Sequence, residues 1–245
     1  MGSVKWPPTV SFFYLVPSDQ TPREDCLAAL RGAVLDLQRW SWQQLQDGTS
    51  FRVSAPVVQI IQTVNPAGWY TANAVGESRA LWFWQNTLND GYVESGVDPQ
   101  DPSRASVFYV DADHAPDQIG GAGLQGRAVL HRGDLLGLIG QNDLGVCRWV
   151  GGLGHELGHV FGLDHPEDCQ QHRAADGDYQ CQSLMYLGYL NYPRTYLLPN
   201  DLAMLRQNPF FGPVIPTTEQ CPCTISRSDT VARGRTPGNR RVVES

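Results

Sequence analysis

Residues 155–165 read HELGHVFGLDH, and no other stretch restricts so tightly what this chain can become. His155 and His159 are four positions apart, so on an α-helix their rings leave the same face about one turn apart. Gly162 then ends the helix, because only glycine enters a left-handed turn without steric cost. The chain can swing back there, and His165 can approach the same point from outside the helix. Three imidazoles so arranged suit one tetrahedral zinc ion and leave a fourth position for water. Glu156 follows the first histidine and can reach that water as a general base. Burial or ordinary hydrogen bonding would account for one such histidine. It does not account for two on one face, a glutamate between them, a stop glycine and a third histidine in register.

The remainder of the chain bounds the setting of this motif. At 245 residues it has room for one large domain or two small ones, and 41% hydrophobic content is enough for a sizeable core. A net charge of −7 argues against general nucleic-acid binding, which needs a basic face. No apolar run approaches the ~20 residues that span a bilayer. Met1-Gly2-Ser3 leads into a polar, proline-containing stretch and not into a signal-peptide pattern.

Six cysteines, an even number, permit disulfides. Cys169 and Cys181 flank a polar loop just after the histidine motif, and joining them would stabilise the fold by about 2–3 kcal/mol. A second metal site is the rival use of the cysteines, but their spacings match no zinc finger or ribbon, and Cys221-Pro222-Cys223 is too tight to chelate. Disulfides imply an oxidising compartment, hence a secreted or extracellular protein.

The hydrophobic pattern orders the elements. Residues 10–16 (VSFFYLV) read as a buried strand. Residues 22–45 carry Leu27, Leu30, Val34, Leu37, Trp40 and Leu45 at helical spacing, with Thr21 as N-cap and Pro22 in the first turn. Strands follow at 51–53 and 57–64, a second helix at 77–92 and a strand at 105–110. Leu81, Trp82, Phe83 and Trp84 in that helix read as core and not as a ligand groove. Residues 119–140 are glycine-punctuated and read as loop and edge strand, a template to which an extended peptide could add. The histidine helix begins near Arg148 or Trp149, and a last helix runs from Pro199 to about Asn208. After Pro216 the composition turns polar, which predicts an extended or disordered tail over 217–245.

HELGHVFGLDH, taken with Ser183-Leu184-Met185-Tyr186 downstream, resembles the metzincin clan of zinc metallopeptidases. The resemblance implies an α+β catalytic domain over 1–216. Its upper part, about 9–162, holds a twisted mixed sheet with two long helices and the zinc helix above the cleft. Its lower part, about 163–216, is smaller and irregular, with a C-terminal helix. It implies one catalytic zinc ion on His155, His159 and His165, Glu156 as the base, and Met185 in a tight turn beneath the histidines. The SLMY turn is similar to the matrixin form, whereas Pro166 after the third histidine is similar to the serralysin form. In astacin- and serralysin-like enzymes a tyrosine two residues after the turn methionine can approach the metal; here that position is Leu187, and Tyr186 and Tyr189 are left without an implied role.

The activity implied is zinc-dependent hydrolysis of peptide bonds in a protein or peptide substrate by a monomer. A non-catalytic zinc-containing binding module and a metal hydrolase acting on a non-peptide amide are the alternatives. Matrixin-like enzymes often carry additional structural Zn2+ or Ca2+ in the loop corresponding to Asp111, Asp113, His114, Asp117 and His131. The spacing here matches neither pattern, and a solvated acidic loop is the competing reading. Asp164 stands where it could support a ligand histidine or simply face solvent. The aromatic and apolar segment 186–198 favours a hydrophobic substrate side chain beside the scissile bond.

Overall fold

A computed structural model of the chain describes residues 6–167, 169, 181–217 and 223. The apolar run at 10–16 forms β1 (Thr9–Val16), and it lies at the heart of a sheet completed by β3 (Val53–Gln62), β4 (Arg104–Val110), β5 (Ala122–Leu124) and β6 (Arg127–Leu130). The order is β3-β1-β4-β6-β5. Pairings are parallel except at β5, which runs antiparallel to β6 along one edge. Strands buried on both faces need no polar alternation, which explains the unbroken apolar composition of β1 and β4. Val10, Phe12, Tyr14, Val107 and Tyr109 point into one core, and Phe13, Leu15, Phe108 and Val110 into the other.

The first core is closed by α1 (Glu24–Leu45) and α5 (Val146–Val160), which contribute Leu30, Val34, Leu37, Val150, Leu153 and Leu157. The second is closed by α2 (Trp69–Ala72) and α3 (Trp82–Ser95) through Tyr70, Phe83 and Leu88. A lower part follows α5. It contains a 3-10 turn (Gly188–Asn191), α6 (Pro199–Gln207) and β7 (Phe211–Pro213), which pairs antiparallel with β2 (Thr49–Phe51). This is the mixed-sheet α+β architecture expected. No helix among the described residues is long and apolar enough to cross a membrane.

Several boundaries differ from the sequence reading, each for a local reason. Helix α1 starts at Glu24 with Arg23 as its extended N-cap residue, so Thr21 does not cap it; Glu24 and Asp25 instead place negative charge at the helix N-terminus. The helix expected from Glu77 begins only at Trp82, after a 3-10 turn over Arg79–Leu81. Of its aromatic cluster Phe83 is core, whereas Trp84 is half-buried and its Nε1–H donates to the Ala122 carbonyl at 3.1 Å. The region read as loop and edge strand, 119–140, contains β5 and β6 and also α4 (Arg132–Leu138). That helix is closed by a capping box between His131 and Asp134. Seven residues with two glycines are too short and too broken to show helical periodicity.

Cys169 and Cys181 are disulfide-bonded as expected. A second disulfide, Cys147–Cys223, ties the first turn of α5 to a point beyond Pro216. The expected tail, 217–245, otherwise lies outside the described residues apart from Thr217. Cys26 is a buried thiol outside both disulfides.

Candidate metal centre

Helix α5 ends as the motif requires. Gly162 has φ 86°, its N–H donates to the His159 carbonyl at 3.0 Å, and the Leu163 N–H reaches back to the Gly158 carbonyl at 2.9 Å. These two bonds make a Schellman turn, which a residue with a Cβ could form only under strain. The turn reverses the chain and sets down His165 beside the helix. The Nε2 atoms of His155, His159 and His165 lie 3.1–3.2 Å from one another. A tetrahedral zinc ion with bonds of about 2.0–2.1 Å separates its ligand nitrogens by roughly 3.3–3.4 Å, so the three atoms fit such an ion to within a few tenths of an ångström.

The outer ring nitrogens decide what the inner ones can do. Nδ1 of His155 is 2.8 Å from the Leu184 carbonyl, and Nδ1 of His159 is 2.8 Å from the Leu163 carbonyl. A carbonyl only accepts, so each Nδ1 carries the proton and each Nε2 presents a lone pair inward. Facing lone pairs at this distance repel one another and are reconciled by a cation. Burial also pushes the His155 pKa down to about 4, which keeps that imidazole neutral. Among the described residues this is the group that could hold a metal ion. For His155 and His159 the outer partner is a main-chain carbonyl and not Asp164, which is exposed.

Glu156 points into the same space. Its Oε2 accepts the Gly123 N–H of β5 at 2.5 Å. Burial pushes the carboxyl up to about 7, and a divalent cation beside it would draw it back down. Met185 is fully buried beneath the helix. Its turn is closed by the Ser183 carbonyl, which accepts the N–H groups of Tyr186 at 3.0 Å and Gly188 at 2.9 Å.

Next to His155 and Glu156 opens a cleft of about 300 Å³. Its walls include His131, Asp134, Arg148, Trp149 and Tyr189. The Arg148 guanidinium lies 4.2 Å from the centre of the Trp149 ring and 5.3 Å from that of Tyr189. Tyr189 in turn sits 5.2 Å from the His155 ring. Within 186–198 only Tyr189 lines this cleft; Tyr192 is buried against Trp40 with its hydroxyl on Asp36. Leu130, Trp149 and Tyr189 thus share this cleft with the polar His131, Asp134 and Arg148. Sequence reasoning left Gly123, Arg148 and Tyr189 without roles. Only Arg148 carried a signal, standing seven residues before His155 on the same helical face.

The acidic loop does not assemble a second centre. Asp111 accepts the Tyr14 hydroxyl at 2.9 Å and Arg132 Nε at 2.6 Å, and Arg132 also donates to the Asp111 carbonyl. Asp113 pairs with Arg132, and Asp117 with Arg79. His131 Nδ1 accepts the Gly133 N–H, and His114 Nδ1 meets the Ala115 carbonyl. The expectation of an additional Ca2+ or Zn2+ ion there gives way to ion pairs and caps that already occupy these side chains.

No known family model and no curated protein sequence matches the chain. Solved structures do. A catalytically inactive OgpA from Akkermansia muciniphila, in complex with an O-glycopeptide substrate, superposes with a TM-score of 0.56 at 18% identity over 89% of this chain. The wild-type OgpA gives 0.54 at 22% identity over 88%. This chain spans less than two thirds of either OgpA chain, 64% in both cases. An archaemetzincin from Methanopyrus kandleri matches 81% of this chain and 94% of its own length at 18% identity, with a TM-score of 0.44. At such identities the likeness to OgpA is one of fold alone.

Proposed function

We propose that this chain is a zinc-dependent endopeptidase of the metzincin kind, with His155, His159 and His165 holding one catalytic zinc ion and Glu156 acting as general base. The observation that carries this reading is the convergence of three imidazole Nε2 atoms at 3.1–3.2 Å beside the half-buried Glu156 carboxylate. Zinc held there would supply Lewis acidity, polarising a carbonyl and acidifying water. Glu156 takes the proton from the attacking water at its carboxylate and hands it to the departing amine. The Gly123 N–H orients that carboxylate. β5, on the sheet edge beside it, offers main-chain groups with which an extended peptide can pair.

The unit performing this would be one domain over 1–216, with Met185 flooring the three imidazoles. Its SLMY turn is matrixin-like and its Pro166 serralysin-like. A peptide substrate also accords with the O-glycopeptide held by the OgpA structure of similar fold. Two disulfides fit an oxidising environment and support a location outside the cell.

Glu156→Ala tests the assignment. The variant is expected to retain zinc by metal analysis while hydrolysis of an unstructured protein falls about a hundredfold or more. Peptidase activity equal to that of the unaltered chain would sink it.

A further inference from the structure

We propose that Arg148 selects substrates bearing an acidic side chain on the residue next to the scissile bond. The inference rests on the peptidase reading and adds the specificity of the same site. Arg148, Gly152 and His155 share one face of α5, at successive turns of the helix. Gly152 has no side chain, and Arg148 folds over it, with Nη1 3.7 Å from where a Cβ on Gly152 would stand. The guanidinium thus stands toward the His155 end of the helix, at the wall of the cleft that His155 and Glu156 also line.

Two aromatic rings hold the guanidinium in place. Trp149 is fixed by the bond from its Nε1–H to Asn142 Oδ1 at 2.7 Å, and Tyr189 is fixed against His155. Contacts of this kind orient the planar fork without consuming its N–H donors. Among the described residues no carboxylate forms an ion pair with Arg148. Asp134 on the same wall is 9% exposed, and burial pushes its pKa up, which weakens its claim on the cation. His131, also on this wall, is engaged in capping α4, and the Glu156 carboxylate accepts the Gly123 N–H. What remains is a half-buried, pre-oriented cation beside the reacting bond. A carboxylate meets that geometry with paired, charge-assisted hydrogen bonds, whereas the matching amide forfeits the charge.

The test uses the zinc-loaded full chain and matched peptides that differ only by Asp against Asn, or Glu against Gln, at the two residues flanking the cleaved bond. The acidic member is expected to have kcat/KM higher by about tenfold or more, the factor one charge-assisted hydrogen bond supplies. Arg148→Gln should bring the acid-to-amide ratio close to one, mainly through KM, and Arg148→Lys should restore part of it. Cleavage with no acidic preference overturns the proposal alone, as does faster cleavage of an O-glycosylated peptide than of the acidic one. Failure to cleave any peptide overturns the peptidase reading and this inference with it. The comparison of peptides on the unaltered chain decides the matter even if Arg148→Gln does not fold.

Discussion

The Met185 sulfur occupies the space that a Cβ on Gly158 would need. Gly158 lies between the two helical histidines, so the lower part of the molecule presses directly on the helix that carries them. The His155 Nδ1 bond to the Leu184 carbonyl, next to Met185, makes a second tie across the same junction. Together they fix the height and rotation of the imidazoles from below.

Replacing glycine by alanine inside a helix ordinarily stabilises a protein by about 0.5–1 kcal/mol. At Gly158 the sign should reverse, because the new methyl group must displace a fully buried side chain. Gly158→Ala is expected to lower the midpoint of urea denaturation and to reduce zinc content after dialysis. A midpoint raised as in an ordinary helix would show that Met185 does not press on this position.

His159→Ala should lose the metal while keeping the fold. The two cores on either face of the sheet consist of side chains each contributing about 1.5–3 kcal/mol on burial, and none of the three histidines belongs to them. Chelation of the unaltered protein should act likewise, abolishing hydrolysis while far-UV circular dichroism is unchanged. Collapse of the fold on chelation would favour a structural zinc module instead.

The two disulfides should differ in worth. Cys147–Cys223 closes a separation of 76 residues and Cys169–Cys181 one of 12. Chain-entropy arguments give about 4.5 and about 3 kcal/mol respectively. Replacing Cys147 and Cys223 together by serine should therefore destabilise the domain more than replacing Cys169 and Cys181, as read by equilibrium denaturation. The opposite ranking would mean that the segment around Cys223 is held by other contacts.

Asp111 separates an ion-pair role from a metal role. Asp111→Ala removes the more buried of the two carboxylates on Arg132 and the acceptor of the Tyr14 hydroxyl, and should cost about 2–3 kcal/mol. Zinc and calcium content should stay as in the unaltered chain. Loss of one bound ion per chain would restore the second metal site to consideration.

The histidine cluster was legible because it is local. Helical periodicity turns the spacing of His155 and His159 into a shared face, and the left-handed preference of Gly162 turns the chain back toward them. The buried strands were legible for a similar reason, since β1 and β4 carry unbroken apolar runs that only a doubly covered sheet explains. Helix α4 was not, because its glycines and short length mask its periodicity, and the start of α3 was hidden by a 3-10 turn with helix-like composition.

The residues 155–165 by themselves determined the histidine cluster and its geometry, because every contact that forms it except the floor is made within eleven positions of chain. What surrounds it was decided only in three dimensions. Gly123 reaches Glu156 across 33 residues, Leu184 reaches His155 across 29, and Arg148 meets Tyr189 only where the lower part docks on α5. Such pairings follow from how sheet, helix and turn are stacked. A main-chain N–H, a carbonyl or a guanidinium facing two rings leaves no periodic trace in the sequence.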